Sequence, residues 1–327
     1  MSLGVEFPPV LTWITAMFSE FGFVIAVTLA LSIGANNAGI AMGPVYGAAI
    51  RSRWASLALV ALFYLLGALV LGHRGIATVG RELFTVPLSA HPYGFLLIAP
   101  TAALVLMVVA TLLRVPISTT HAAVAALVGV GLYLDVVRGD RVLRILAWWL
   151  ATPLASFLVT WPIAKLVGRR TTSSKAIGWL LTFGGCYVAF SVGANNAANA
   201  AAVLAGAGLV SPFVGALIAG VAMAAGGATW GGRVLETVGK GLAELNAVRS
   251  VVVALVAGTT TLVASAFGVP ISLTLVVASS VIAFGIATDG VRQAYRNNHV
   301  RRIAVLWTTS PLIAVGSTYA IAWALKR

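Results

Sequence analysis

The chain has 327 residues, of which 60% are hydrophobic and only 9% are charged, and its formal net charge is +13. A soluble domain carries about a quarter charged residues, so this composition excludes a soluble globular protein and predicts a membrane protein. The basic residues lie in short loops between apolar runs and form no basic stripe, which excludes a nucleic-acid-binding surface.

Apolar runs close to the ~20 residues that cross a bilayer recur along the chain. In chain order they fall near 10–31, 33–50, 54–72, 94–113, 117–134, 142–164, 177–192, 194–207, 213–230, 250–267, 270–288 and 303–325. They predict an all-α polytopic membrane protein, because a transmembrane barrel would show short alternating segments instead. The first two runs, like the two within 177–207, form either one interrupted element or two, so the prediction is ten or twelve spans.

Three motifs occur twice in the same order, which indicates an internal duplication. GANNA occurs at 34–38 and 193–197, GHRGIATVG at 72–80 matches GGRVLETVG at 231–239, and VPIS occurs at 115–118 and 269–272. The first two pairs are 159 positions apart and the third is 154 positions apart. The duplication predicts a first membrane repeat over 1–165, a basic cytoplasmic linker over 166–176 and a second membrane repeat over 177–327.

The basic residues also predict the topology. With ten crossings and the N-terminus outside, most of the 21 lysines and arginines fall in inside loops, as the positive-inside rule requires. Five crossings per half make the halves enter the membrane from opposite sides. We therefore predict two inverted-topology repeats of about five to six segments, the arrangement typical of secondary transporters.

The GANNA motif places two adjacent amides inside an apolar run, where lipid offers no hydrogen-bond partner. We expect each copy to break its helix, so that the free N–H groups and positive dipole end of the following half line a cavity. Amide donors would come from Asn36 and Asn37 in the first copy, and from Asn195, Asn196 and nearby Asn199 in the second. The alternative is that small residues let two helices approach closely while asparagine bonds across the contact.

The second recurring element reads RVPISTTHA at 114–122. Pro116 breaks or begins a helix, whose first turn would offer hydroxyl donors from Ser118, Thr119 and Thr120. His121 is the one histidine inside a clearly apolar run. The alternative is that the hydroxyls bond back to the preceding turn and the histidine only packs.

The second copy of this element, GVPISLTLV, differs from the first, so the two predicted half-sites are asymmetric. It keeps Ser272 and Thr274 but has leucine at the positions of Thr119 and His121. Among the eight acidic residues only Glu236 lies in a repeated motif. This residue is either the ion-pair partner of Arg233 or a carboxylate that relays the coupling ion.

GANNAG, GANNAANA, PISTTHA and RVLETVGKGLAELN resemble the PiT family of inorganic phosphate transporters, and GIAMGPVYGAAI at 39–50 is similar to its sulfate-permease branch. The resemblance implies an inverted-repeat transporter of the inner (plasma) membrane with broken or re-entrant helices and both termini outside. By position it implies a substrate site formed by Asn36, Asn37, Ser118, Thr119, Thr120, Asn195, Asn196, Asn199, Ser272 and Thr274.

The departures from the family pattern bear on the substrate. Family phosphate carriers have GAND in both copies, whereas Asn37 and Asn196 stand at the aspartate positions here. Phosphate near neutral pH keeps a proton that a carboxylate can accept, whereas sulfate offers only acceptors and is repelled by a carboxylate. We therefore expect an ion-coupled symporter that imports sulfate, with phosphate as the alternative.

The remaining expectations concern coupling and partners. Sodium sites need carboxylate or carbonyl oxygens, so the missing aspartates favour H⁺ over Na⁺, with His121 and Glu236 as relays. The expected partners are the oxyanion and the lipid bilayer, and a homodimer is left open; no cofactor and no metal site are expected. The alternatives are an anion channel, a scaffold, and an enzyme in which Ser118 and His121 lack a third orienting group.

Overall fold

The computed structural model describes residues 9–86, 99–105, 107, 118–168, 174–242, 247–290 and 298–325. Its helices are α1 (Pro9–Gly47), α2 (Arg53–Gly67), α3 (His73–Ala77), α4 (Thr119–Tyr133), α5 (Gly139–Val167), α6 (Lys175–Gly206), α7 (Pro212–Leu242), α8 (Ala247–Ala266), α9 (Leu273–Asp289) and α10 (Asn298–Leu325). Within these ranges the one pairing of extended backbone is a bridge between Phe84 and Val137. The predicted all-α class is confirmed.

Six helical stretches are long and apolar enough to cross a membrane, counted over the described residues. They are Glu20–Gly47, Arg53–Glu82, Gly139–Val167, Lys175–Gly206, Pro212–Thr237 and Ala247–Ala266. The apolar helices α4 and α9 have only 15 and 17 residues, fewer than the ~20 that a full crossing needs. The chain is therefore a multi-pass membrane protein in which two apolar helices are short.

Both GANNA motifs lie inside uninterrupted helices, so the prediction that they break their helices is wrong. α1 continues through Gly34 to Ala38, and α6 continues through Gly193 to Ala197. Each flanking pair of apolar runs is consequently one helix, and its division into two spans is wrong as well. The physical reason is that a helix satisfies its own backbone groups, while the ~1 kcal/mol that an internal glycine costs is offset by packing.

The glycines of α1, α2, α6 and α7 join the two halves through reciprocal close contacts. Gly34 lies against Met223 and Gly193 against Tyr64, while Gly67 lies against Phe190 and Gly226 against Leu31. In all four contacts an added Cβ would overlap the facing carbonyl oxygen. Corresponding residues are 159 positions apart, which is the offset of the GANNA motifs. The alternative of close helix approach through small residues is thus the arrangement present; the inverted orientation of the repeats stays a prediction.

The helices that do begin abruptly are α4 and α9, at the serines of the two VPIS motifs. Ser118 Oγ accepts a hydrogen bond from the His121 N–H at 3.2 Å, and Ser272 Oγ accepts from the Leu275 N–H at 3.3 Å. Both serines are therefore N-caps, which satisfy an N–H group that has no partner inside the helix. Pro116, which was predicted to begin the first of these helices, lies outside the described residues, as do 169–173 of the predicted linker.

Residues 53–82 form one helical course with two irregular turns. π-helical turns occupy Ala68–Gly72 and Thr78–Glu82, on either side of α3. Such turns widen a helix locally and often occur at functional sites. They flank Arg74, whose contacts with the second half of the chain are described below.

Candidate functional site

Five of the predicted site residues meet where the first turn of α4 contacts the middle of α6. These residues, called the Asn/Thr cluster below, are Thr119, Thr120, Asn195, Asn196 and Asn199, and each is at most 8% exposed. The segment that precedes α9 contacts the cluster through the backbone of Ile271. Local sequence explains the meeting, because Ser118 fixes where α4 begins and the small residues of α6 let neighbouring elements approach.

Asn196 accepts hydrogen bonds from three side chains of the cluster. Its Oδ1 accepts from Asn199 Nδ2 at 2.7 Å, from Thr119 Oγ1 at 3.3 Å and from Thr120 Oγ1 at 3.4 Å. Thr120 Oγ1 also accepts from Asn199 Nδ2 at 3.0 Å. The Thr120 hydroxyl has a single proton, and the Ile271 carbonyl oxygen is its nearer acceptor at 3.0 Å. The longer bond to Asn196 is therefore the weaker one.

Asn195 binds the backbone of the segment before α9 rather than its own helix. Its Nδ2 donates to the Ile271 carbonyl at 2.8 Å, and its Oδ1 accepts from the Ile271 N–H at 2.9 Å. A non-helical peptide in an apolar interior needs such partners. Asn195 therefore satisfies both backbone groups of Ile271 and fixes the segment against α6.

The two capping serines add donors beside the cluster. Ser118 and Ser272 are 1% and 4% exposed. The hydroxyl oxygen of each accepts the capping hydrogen bond of its helix. A hydroxyl that accepts in this way keeps its proton for another acceptor. Each helix end also carries a partial positive charge and N–H groups without helical partners.

Three predicted site residues form no hydrogen bond with the Asn/Thr cluster among the described contacts. Asn37 Nδ2 donates to the Ile33 carbonyl of its own helix at 2.9 Å, and Asn36 is half-buried on α1. Thr274 is half-buried and lines an apolar cavity of about 200 Å³ with Ile40 of α1. Asn37 and Thr274 are the repeat counterparts of Asn196 and Thr120, so the two half-sites differ as the sequence indicated.

His121 lies against a tryptophan that the sequence analysis missed. The two ring centroids, of His121 and Trp149, are 4.0 Å apart with an interplanar angle of 31°, and His121 is 4% exposed. Trp149 Nε1 donates to the Pro270 carbonyl at 2.9 Å. Trp149 thereby ties α5 to the segment that Asn195 also binds. Its indole N–H within an apolar helix was the only available signal, because the residue belongs to no repeated motif.

Glu236 pairs with Arg53 and not with Arg233, so the predicted ion-pair partner is wrong. Glu236 Oε1 lies 3.0 Å from Arg53 Nη1, and the side chains are 38% and 42% exposed. The pair joins the first residue of α2 to α7, where Gly232 leaves room for the guanidinium. Sequence reasoning favoured Arg233 because it is near in the chain, whereas the packing of α2 on α7 brings Arg53 closer.

The Asn/Thr cluster is electrically neutral. No aspartate or glutamate is found among the buried polar residues of the described ranges, and no group of three metal-ligating side chains occurs there. The cluster consists of amides, hydroxyls and helix N-termini. Such a set offers hydrogen-bond donors to an anion without an opposing negative charge.

A model of the phosphate transporter family matches residues 11–160 and, a second time, residues 161–326. The chain belongs to the phosphate transporter family. Sulfate permease CysP of Bacillus subtilis is 30% identical over 299 residues, covering 89% of this chain and 84% of that protein. A putative phosphate permease of Chlamydia muridarum is 27% identical over 393 residues, covering 85% and 91% respectively.

A solved structure supports the fold independently. "The sodium-dependent phosphate transporter" superposes with a TM-score of 0.84 and 22% identity, covering 95% of this chain and 99% of that one. The predicted family is therefore confirmed, and the fold is that of a transporter. Because the family consists of transporters, the chain is not an enzyme, and the alternative of a Ser118 nucleophile with a His121 base is wrong.

Proposed function

We propose that the chain is a secondary active transporter that imports a tetrahedral oxyanion, sulfate in preference to phosphate, through the Asn/Thr cluster. The single observation that carries this proposal is the buried, carboxylate-free group of donors at the first turn of α4. In this proposal the protein lies in the plasma membrane with both termini outside.

The geometry of the cluster supports anion binding through an exchange of partners. The Thr119 hydroxyl lies 3.3 Å from Asn196 Oδ1, at the long end of hydrogen-bond distances, and the Thr120 hydroxyl donates to the Ile271 carbonyl at 3.0 Å. An oxyanion is a stronger acceptor than an amide oxygen, so these hydroxyls would turn to it. The N–H groups at the start of α4 and α9 then supplement the hydroxyls of Ser118 and Ser272.

The neutral cluster favours sulfate over phosphate. Near pH 7 a phosphate keeps about one proton, and that proton needs an acceptor in the site. Sulfate needs donors alone, and the amide of Asn196 can supply one where a carboxylate would repel it. An unmatched buried donor costs about 1–3 kcal/mol, which is enough to discriminate between anions of the same shape. The relative named as a sulfate permease supports the same preference.

The proposed coupling ion is the proton. Moving each negative charge into a cell with a negative interior costs about 2.3 kcal/mol per 100 mV, so a dianion needs a driving ion. His121 lies directly after Thr120 at the cluster, which suits a proton relay. Glu236 is the second candidate relay, at a half-exposed position beside Arg53.

The test is uptake of labelled sulfate and labelled phosphate into liposomes that contain the purified protein. Each anion is offered with an imposed pH gradient, a sodium gradient or neither. The proposal expects sulfate to accumulate with the pH gradient while phosphate accumulates little. Thr120→Val should abolish this accumulation, whereas Thr274→Val, at the counterpart position outside the cluster, should leave most of it.

The second candidate function is sodium-coupled phosphate symport. It is favoured by the solved structure that the fold matches and by the relatives named as putative phosphate permeases. Sodium-driven phosphate accumulation would establish it and overturn the sulfate preference. Uptake that only equilibrates, under every gradient, would instead indicate a channel.

A further inference from the structure

The segment between α8 and α9 is held by hydrogen bonds from other helices. The last residue of α8 and the five residues that follow it, Ala266–Ile271, are called the rim segment below. Arg74 Nη1 donates to the Ala266 carbonyl at 2.7 Å, and Arg144 Nη2 reaches the Phe267 carbonyl at 3.4 Å. Trp149 binds the Pro270 carbonyl, and Thr120 and Asn195 bind that of Ile271. The rim segment therefore connects two exposed arginines at one end to the Asn/Thr cluster at the other.

The rim segment also packs tightly against the irregular helix that carries Arg74. Gly268 has a φ of +71°, and an added Cβ would lie 2.8 Å from Thr78 Oγ1 and 3.2 Å from the Arg74 carbonyl oxygen. Phe267 contacts Trp148, with ring centroids 5.5 Å apart. These contacts hold the rim segment against the helix that carries Arg74 at one end, while Thr120 and Asn195 bind its other end.

Arg74 and Arg144 differ from Arg138 and Arg141 in their partners. Arg141 pairs with Glu82 at 3.0 Å and with Asp140 at 3.5 Å, and Arg138 also pairs with Asp140. Within the described ranges Arg74 and Arg144 form no ion pair and donate to neutral carbonyl oxygens. A guanidinium binds an oxyanion more strongly than a neutral carbonyl, and its planar fork can bind two oxygens at once.

We propose that Arg74 and Arg144 form a rim site that receives the oxyanion before the Asn/Thr cluster does. The anion's oxygens replace the carbonyls of Ala266 and Phe267 on the two guanidinium groups. The exchange releases the rim segment, so that the bound anion itself opens the path to the cluster. This inference rests on the proposed function and adds to it a second binding site and the contact that must break.

The kinetic test compares Arg74→Gln and Arg144→Gln with Arg81→Gln. Arg81 is an exposed arginine on the same helical course, and it donates no bond to the rim segment among the described contacts. All three variants remove one positive charge, so they weaken general attraction of the anion equally. We expect KM for oxyanion uptake to rise about tenfold in the two rim-site variants and less than twofold in Arg81→Gln. Equal effects in all three variants would overturn the rim site.

A second measurement follows the rim segment without transport. The native thiol, Cys186, is the only one and is buried, so Phe267→Cys gives a unique exposed label site. We expect sodium sulfate, compared with sodium chloride at equal ionic strength, to speed maleimide labelling of this thiol several-fold. Adding Arg74→Gln should make labelling fast with either salt, and adding Arg81→Gln should not.

The two measurements separate the two proposals. If sulfate uptake were normal but the maleimide labelling rate did not change with sulfate, the rim site would be overturned and the proposed function would stand. Labelling that responds to sulfate without any uptake would support the rim site and overturn the proposed transport. A protein whose labelling and uptake respond to neither sulfate nor phosphate would overturn both.

Discussion

Asn195 binds both peptide groups of Ile271, with Nδ2 2.8 Å from the carbonyl oxygen and Oδ1 2.9 Å from the amide nitrogen. The bond pair joins the middle of α6 to the segment that precedes α9. It uses one of the two amide protons and one lone pair of the amide oxygen to hold the backbone of Ile271. Asn195 is therefore a positioning residue for the Asn/Thr cluster.

Asn195→Asp should destabilise the protein although it changes the shape of the side chain little. A carboxylate cannot donate to the Ile271 carbonyl, so two acceptor oxygens would face each other in a buried site. We expect the free energy of unfolding to fall by about 3 kcal/mol, measured by denaturant titration in mixed micelles. The control is Asn36→Asp at the half-buried counterpart position, which should lose less than about 1 kcal/mol. Equal losses would contradict the positioning role.

Asn196→Asp should change which anion is carried while the fold is kept. A carboxylate at this position still accepts from Asn199 and Thr119, and Thr120 keeps its shorter bond to the Ile271 carbonyl, so the three donors stay satisfied. The negative charge repels sulfate, whereas a carboxylate oxygen can accept a hydrogen bond from the proton of hydrogen phosphate. We expect sulfate uptake to fall about tenfold to a hundredfold and the phosphate-to-sulfate ratio of initial rates in liposomes to rise.

The matched control for this change is Asn37→Asp in the first GANNA motif. Asn37 bonds within α1 and lies outside the cluster, so the same charge change there should alter the uptake ratio less than threefold. If Asn37→Asp altered the ratio as much as Asn196→Asp, both motifs would contact the anion during transport. The Asn/Thr cluster would then not be the whole substrate site.

The sequence predicted the class and the family correctly because each depends on strong local signals. Apolar runs identify a membrane protein, and the motifs with Asn196, Thr119 and Thr120 are specific enough to place these residues together. These signals do not depend on which helices pack against each other.

The continuity of α1 and α6 could not be predicted, because GANNA is compatible with a break and with a helix. Gly34 is needed because the backbone of Met223 approaches it, and a sequence contains no direct information on that contact. The partner of Glu236 was missed for the same reason, since Arg53 is brought near only by the packing of α2 on α7. Trp149 was missed because its acceptor is a backbone carbonyl, which has no side-chain signature.

Gly193→Ala should prevent or strongly weaken the packing of α6 on α2. The added Cβ would overlap the Tyr64 carbonyl oxygen, which belongs to rigid helical backbone and cannot move aside. We expect a loss of about 3 kcal/mol or more, seen as a lower unfolding midpoint or as failure to elute as a single species. Gly285→Ala, in α9 where a Cβ would meet nothing within 4 Å, should gain up to about 1 kcal/mol of helix stability. Equal losses at Gly285 and Gly193 would contradict this explanation, because alanine has the higher helix propensity and only Gly193 faces the Tyr64 carbonyl.

Glu236→Gln separates the two roles proposed for this carboxylate when it is compared with Arg53→Gln. The Arg53–Glu236 pair is exposed enough that its loss should cost at most about 1 kcal/mol, so both variants should fold. A relay needs the carboxyl but not its partner. We therefore expect Glu236→Gln to keep sulfate counterflow exchange, which needs no proton movement, and to lose accumulation driven by a pH gradient. Arg53→Gln should keep both activities.

If Glu236→Gln and Arg53→Gln behaved alike, the carboxylate would serve only as a structural ion-pair partner. His121→Gln would then become the deciding variant for proton coupling. If accumulation driven by a pH gradient survived His121→Gln as well, both proposed relays would be excluded.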